Sequence, residues 1–389
     1  MRRFFNAMGE FFRKADMVLL FLCVAASIFG IVAIASATAY RNTDRYVIVQ
    51  AASLALGIVA YILFTLVDVD VIAERRELLL VFSLIFIGLL QFFGSSGTSG
   101  NNSWLYLPVI GISLQPGEIC KVFYILIIAK LMSANQNRIS SVLTMAKILL
   151  VTAAIVGLYV LVSSDMGVAL NYLGILVVML LTGGVSAIWF LLGAGAIALA
   201  APVVWNVLLR DDQKNRILAI FDSSIDPTGL NELWQTNMGK SALTGGGLTG
   251  QGLFNGTMTQ SGSIPEQWTD YIFAVIGEEL GMVGCLAVLL LLFAIILRCI
   301  YVGVRSKNYM NRQICFGIAG MLLFQVFINV GVCVGLLPVI GLTLPFFSYG
   351  GSSIVTMFMA AGIVSGIHMR PAPDSSARYI QLSPLETGY

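Results

Sequence analysis

MVLLFLCVAASIFGIVAIAS, residues Met17–Ser36, contains no Asp, Glu, Lys, Arg or His. Wound as a helix, about 20 such residues at about 1.5 Å each match the roughly 30 Å hydrocarbon core of a bilayer. A helix this long on the surface of a soluble core would need a polar face, and this one has none. The stretch reads as a membrane-spanning helix.

The pattern recurs downstream at Val47–Val67, Leu78–Phe93, Glu118–Met132, Met145–Val162, Met166–Leu181, Val185–Leu209, Tyr271–Leu297, Gln313–Val334 and Phe347–His368. The fold class is therefore an all-α polytopic membrane protein with about ten transmembrane helices, the fourth and sixth among the shortest. Composition agrees: 58% of the 389 residues are apolar and 11% charged, against about 25% charged in soluble domains. The chain reads as one transmembrane domain, 1–389. Within it, 1–16 is a cytoplasmic interfacial segment, 210–269 a large extracytoplasmic loop between helices 7 and 8, and 369–389 a cytoplasmic tail.

Orientation follows from the basic residues. With the N-terminus inside, Arg2, Arg3, Arg13, Lys14, Arg75, Arg76, Arg138, Lys147, Arg298, Arg305, Lys307, Arg312, Arg370 and Arg378 fall on the cytoplasmic side. The outer side receives Arg41, Arg45, Arg210, Lys214, Arg216 and Lys240. That excess places both termini in the cytoplasm. At the N-terminus, Phe4, Met8, Phe11 and Phe12 lie on one helical face and Arg3, Arg13 and Lys14 on another, which suits the membrane interface. No cleavage site follows them.

A net charge of +2 and the absence of a nucleic-acid motif argue against nucleic acid as a partner. The six cysteines sit in or beside apolar segments without metal or disulfide spacing and read as small hydrophobes. His368 is the only histidine, so neither a Ser-His-Asp site on the outer face nor a multi-histidine zinc site can be built, and no metal-ligating residues are assigned. No internal repeat of the transporter kind is visible.

Two outer loops, Gly94–Pro116 and Arg210–Thr269, break the hydrophobic pattern. The second is dense in glycine, from Gly245 to Gly256, which permits close approach of backbone to a ligand. Near the end of the chain Pro338, Gly341 and Pro345 precede Ser348, Tyr349, Gly350, Gly351, Ser352 and Ser353, and one of these serines can cap the last helix.

An ionisable group in a spanning segment costs about 2.5 kcal/mol or more and needs a partner or a purpose. Glu118 and Lys121 are three apart and can pair on one helical face. Asp165 interrupts the fifth and sixth helices near the outer surface. Asp270, in Trp268-Thr269-Asp270-Tyr271 at the entry to the eighth helix, is either a helix cap or a desolvated general base. Of the adjacent Glu278 and Glu279, one is expected to make a structural bond. Arg210, Lys214 and Arg216 form a basic cluster that is either solvated or in contact with phosphate. The residues alone give an outward-facing polar cavity in a helical bundle and leave the reaction open.

The closing run GLLPVIGLTLPFFSYGGSS from Gly335 resembles the signature of the SEDS family (shape, elongation, division and sporulation), the RodA, FtsW and SpoVE group. Asn102-Ser103-Trp104, SLQPGEICK from Ser113 to Lys121, Asp165 with Gly167, Arg216 ahead of Phe221 and Pro227, and PEQWTDYIFAVIGEELG from Pro265 are similar to further family segments in the same order. The resemblance implies a peptidoglycan glycosyltransferase of the bacterial cytoplasmic membrane. It would polymerise lipid II, a disaccharide-peptide on undecaprenyl pyrophosphate, at the outer face, beside a class B penicillin-binding protein. It also implies that Asp270 is the catalytic aspartate and that Glu118, Lys121, Asp165 and Arg216 bind substrate, with Gln115, Trp104, Ser348 and Ser352 in support. No cofactor is assigned, and a divalent cation, Mg or Mn, is left open because acidic residues near a pyrophosphate can recruit one through water. Trp268 stands where histidine is common in the family, Gly117 where serine is, Ser163-Ser164 where Gln-Pro is, and Met238-Gly239 where Gln-Ser is. The alternatives are a lipid II flippase, which needs a charged cavity but no general base, and a non-catalytic scaffold for wall synthesis.

Overall fold

The computed structural model describes residues 9, 13–95, 102–107, 112–208, 211–222, 224–226, 228–229, 231 and 233–370. Most of the 1–16 segment and nearly all of the 369–389 tail lie outside the described residues. In chain order the elements are α1 (Met17–Thr38), α2 (Arg45–Leu66), α3 (Val69–Glu74), α4 (Arg76–Gly88), α5 (Leu90–Phe93), β1 (Gly94–Ser95), β2 (Trp104–Leu107) and β3 (Ile112–Leu114). There follow α6 (Pro116–Ala134), α7 (Val142–Ser163), α8 (Met166–Thr182), α9 (Ala187–Val203), α10 (Asp211–Leu218), α11 (Trp234–Gly246), α12 (Thr257–Gln260), α13 (Ile272–Arg305), α14 (Tyr309–Cys333) and α15 (Gly351–Met369).

Eight of these helices are long and apolar enough to cross a bilayer, counting α4 with α5 as one. The apolar α8 is shorter, and α6 carries Glu118, Lys121 and Lys130. Together they occupy the ten expected positions. The burial pattern is that of a membrane protein: Phe21, Leu161 and Leu199 are 71%, 82% and 81% exposed, while charged and amide side chains are buried inside. Within a bilayer those outer side chains face lipid, and the interior polar groups must pair with one another.

Packing explains which helices meet. On α15, Gly362 and Gly366 are four apart, and a Cβ on Gly362 would stand 2.6 Å from the Tyr61 carbonyl oxygen on α2. The two backbones therefore touch, and the Thr65 hydroxyl donates to Gly362 O at 3.2 Å. At the foot of the bundle Asp16 caps α1 by accepting from Leu19 N–H. The same carboxylate pairs with Arg298 of α13 at 2.8 Å, and the Asp16 carbonyl accepts from the Tyr61 hydroxyl. Three helices are tied to one residue there.

The sequence reading needs several corrections. The loop from Gly94 folds into a three-stranded antiparallel sheet, β1-β2-β3, because alternation over a few residues in a loop is too short a signal to read. The last helix starts at Gly351 rather than Phe347, and no side chain caps it. Ser348 Oγ instead accepts from Leu344 N–H in the preceding turn and donates to Thr269 O. The eighth span is not one straight rod: Gly281 breaks α13 with φ 65°. The glycine-rich loop packs closely against protein backbone. Cβ atoms on Gly246 and Gly250 would stand 1.9 Å from Gly277 O and 2.1 Å from Glu279 O. That closeness lets Gln251 N and Gly252 N donate to the carbonyls of Glu278 and Glu279.

Candidate active site

Segments 102–107, 112–115, 163–165, 247–270 and 335–350 gather at one end of the bundle. There Ser103 reaches Asp165, Gln115 N reaches Ser352, and Tyr349 N reaches Trp268 O. The opposite end holds the Arg370 guanidinium on the carbonyls of Thr65, Leu66 and Val67. The charge-based orientation places the first end outside.

Asp165 organises one wall. It is 4% exposed and caps α8, accepting from Val168 N–H at 3.2 Å. Its other oxygen accepts from the Ser103 hydroxyl at 3.2 Å, the Tyr159 hydroxyl at 3.3 Å and the Gln115 amide at 3.4 Å. Burial raises its pKa and the nearby Glu118 adds to the rise, partly offset by the Val168 and Ser103 bonds. Gln115 is held from its backbone N–H by Ser352 Oγ at 3.3 Å. Trp104 is half-buried on β2 opposite Ser95, adjacent to Ser103. Gly117, where the family commonly has serine, is packed under Tyr159: a Cβ there would stand 2.6 Å from the ring.

A second wall is the Lys121–Glu118 ion pair at 2.7 Å, with the side chains 0% and 2% exposed. The pairing that i,i+3 spacing allows is thus formed. Lys121 Nζ also donates to Gln325 Oε1 at 3.4 Å, while Glu118 Oε2 is buried without a hydrogen-bond partner. Arg216 lies on α10, but its side chain is outside the described residues.

Asp270 precedes α13 and does not cap it, since the N-cap is Tyr271 and no side chain bonds there. The capping explanation therefore falls away. The carboxyl is half-buried and lies 3.9 Å from where a Cβ on Gly341 would stand. Burial pushes its pKa up to about 7, helped by the negative charges of Glu266 and Asp165. Its backbone is pinned: Trp268 O accepts from Tyr349 N at 2.8 Å, Thr269 O from the Ser348 hydroxyl at 2.6 Å and Asp270 O from the Asn329 amide at 2.9 Å. The Trp268 indole, where the family commonly has histidine, lies under the Arg41 guanidinium at 4.1 Å.

Glu278 and Glu279 both make structural bonds, where one was expected. Glu278 accepts from the N–H groups of Met258 and Thr259. Glu279 accepts from the Ser36 hydroxyl and the Gln260 amide. The reading by charge missed the uncharged Gln325, Asn329 and Asn171. Amides inside apolar runs were the available signal, because they too need partners in hydrocarbon.

Comparison with known proteins adds to this geometry. The profile of the FtsW, RodA and SpoVE family, described as cell cycle protein, matches residues 16–372. The chain belongs to the FtsW, RodA and SpoVE family. Among relatives of this member, the Geobacter metallireducens protein named "Probable peptidoglycan glycosyltransferase FtsW" is 31% identical over 365 residues, covering 92% of this chain and 95% of its own. The Escherichia coli K12 peptidoglycan glycosyltransferase MrdB is 32% identical over 318 residues, covering 81% and 83%. The Thermus thermophilus rod shape determining protein RodA superposes with TM-score 0.68 at 27% identity, covering 92% of this chain and 98% of that one. A chain of a peptidoglycan synthase complex that coordinates polymerization and crosslinking superposes with TM-score 0.78 at 30% identity, covering 91% and 97%. This member of the family is a multi-pass membrane protein of the glycosyltransferase class.

Proposed function

We propose that the chain polymerises lipid II into peptidoglycan glycan strands at the outer face of the cytoplasmic membrane, in company with a class B penicillin-binding protein. The observation that carries the reading is Asp270: a carboxyl raised to about 7, not spent as a helix cap, on a backbone that three other groups hold. A base poised near the working pH has a proton affinity high enough to accept a proton and a large ionised fraction. The names of the relatives support the reaction class, and the peptidoglycan synthase complex supports the transpeptidase partner.

In the proposed step the acceptor sugar's 4-hydroxyl oxygen bonds to the anomeric carbon of the donor as its proton passes to Asp270. The bond from that carbon to the pyrophosphate oxygen breaks, the electron pair leaves with undecaprenyl pyrophosphate, and the configuration inverts. Lys121 and Arg216 are assigned to the pyrophosphate side, where a preorganised cation in a water-poor site acts most strongly. Glu118, Asp165 and Gln115 orient that wall, and Trp104, Ser348 and Ser352 support it.

The side chains do not fit a protein-held metal. Among the described residues no three His, Cys, Asp or Glu groups stand close enough to hold an ion, and the Asp165 oxygens are already occupied by donors. A magnesium or manganese ion, if one takes part, would be recruited by the pyrophosphate rather than by a protein cage and would supply charge neutralisation there, and no step depends on it.

The test is glycan polymerisation by purified protein with labelled lipid II and its cognate partner, comparing wild type with Asp270→Asn. Polymer from wild type alone supports the transferase and its base. Undiminished polymer from the Asn variant rejects the general-base role, and polymer from neither moves the reading to lipid transport or scaffolding.

A further inference from the structure

Two buried amides one helical turn apart on α14, Gln325 and Asn329, have no part in the chemistry above, and they are 0% and 1% exposed. Asn329 Nδ2 donates to Asp270 O at 2.9 Å and to Leu342 O at 2.7 Å. Gln325 Nε2 donates to Thr343 O at 3.1 Å. Its Oε1 accepts from Lys121 Nζ at 3.4 Å and from Asn171 Nδ2 at 3.2 Å. The two acceptor carbonyls, Leu342 O and Thr343 O, are consecutive, and each amide has a further bond to a residue of the proposed site. Asn329 leads to Asp270, and Gln325 leads to Lys121.

We infer that Gln325 and Asn329 are positioning residues that hold the base, Asp270, and the cation, Lys121, in register on the shared backbone segment Leu342–Thr343. The inference rests on the general-base reading of Asp270. If the amides served only to quieten polar groups in an apolar helix, any internal carbonyl would do, including those of α14 itself. Instead the donors of both leave α14 for the segment Leu342–Thr343. The Asp270 carbonyl accepts a further weak bond from Cys333 Sγ at 3.5 Å, again from α14. Removing the Asn329 donor frees the backbone that carries the carboxyl, while removing Gln325 frees the Lys121 wall.

The two variants should therefore fail differently. The titratable groups around Asp270 are Glu266 in its own loop, Asp165 at the start of α8, Tyr271 and Cys333. Among the described residues the charged members of this set, Glu266 and Asp165, are both negative, so a carboxyl that swings out toward water becomes easier to ionise. The experiment is lipid II polymerisation by the full chain with its cognate partner, followed from about pH 5 to about pH 9 and normalised to folded protein. For Asn329→Leu the acid limb of kcat/KM should move down by about one pH unit and kcat fall about tenfold. For Gln325→Met the acid limb should stay in place and the KM for lipid II rise about fivefold. Asn329→Ser, smaller and still polar, carries the same expectation where the Leu variant does not fold.

An unmoved acid limb with wild-type kcat in a folded Asn329 variant overturns the inference. So does an identical acid-limb shift in Gln325→Met, which would mean a general loosening. Failure of both Asn329 variants to fold assigns the pair to the fold and overturns positioning. Asp270→Asn, assayed alongside, separates the two readings: inactive Asn with an unmoved Asn329 limb removes this inference alone, whereas active Asn removes the general base as well.

Discussion

Asp270 sets function against stability. Because its pKa is about 7 in the folded chain and about 3.9 when unfolded, the folded state binds its proton more tightly. Ionisation therefore costs stability progressively as pH rises from about 4 to about 7, and the full cost is present above that. Asp270→Asn should abolish polymer yet raise the unfolding temperature at pH 8, with the gain vanishing near pH 4. Thermal unfolding at the two pH values tests it, and a variant destabilised at pH 8 would contradict the desolvated-carboxyl account. In the wild type, the acid limb of activity should have its midpoint near 7 for the same reason. Lys121 poses the converse case. Lys121→Met leaves Glu118 charged and unpaired in the interior, a loss of about 3–5 kcal/mol. Adding Glu118→Gln should restore much of the stability, and activity should stay low if Lys121 serves the pyrophosphate. Recovery of both would make the pair structural only.

At the scale of elements, the strap formed by residues 247–252 against the break in α13 anchors one end of the structured part of the long loop. Met282 N and Val283 N donate to the carbonyls of Gly247 and Leu248, bonds that an unbroken helix would spend on itself. Gly281 supplies the break at φ 65° and lies where a Cβ would meet Gly250 N at 2.4 Å. Gly281→Ala therefore carries both backbone strain, about 1–3 kcal/mol, and a steric clash. Limited proteolysis should show faster cleavage between 247 and 263, with the spanning helices unaffected. The partner was not legible in the sequence, where the glycines of Gly245–Gly256 announce close approach, because close approach has the same signature whatever comes close. The spans were legible because run length alone defines them. Asp270, Lys121 and Asp165 stand out in the sequence because charge in such a chain is rare, while the roles given to them come from the family resemblance. Gln325 and Asn329 do not stand out, since an amide adds no charge, and the state of Asp270 depends on burial and on Asp165, which only the fold brings to it.

For the whole molecule, the proposed chemistry requires that the end carrying Asp270 face outward, an assignment that rests on the distribution of Lys and Arg. Two positions report on it from opposite ends: Ser263, exposed between α12 and α13, and Glu74, exposed at the end of α3. The native thiols give little background. Cys23, Cys120, Cys299, Cys315 and Cys333 are buried, and the half-buried Cys285 lies within the spanning part of α13. In intact cells a membrane-impermeant maleimide should label Ser263→Cys at once and Glu74→Cys only after the membrane is permeabilised. The reverse pattern would turn every span over together, because loops joined by spanning helices cannot change sides singly. It would put Asp270 and the Lys121 wall in the cytoplasm, away from the face on which the glycan strand is to be built, and the proposed polymerase would fail even if Asp270→Asn were inactive.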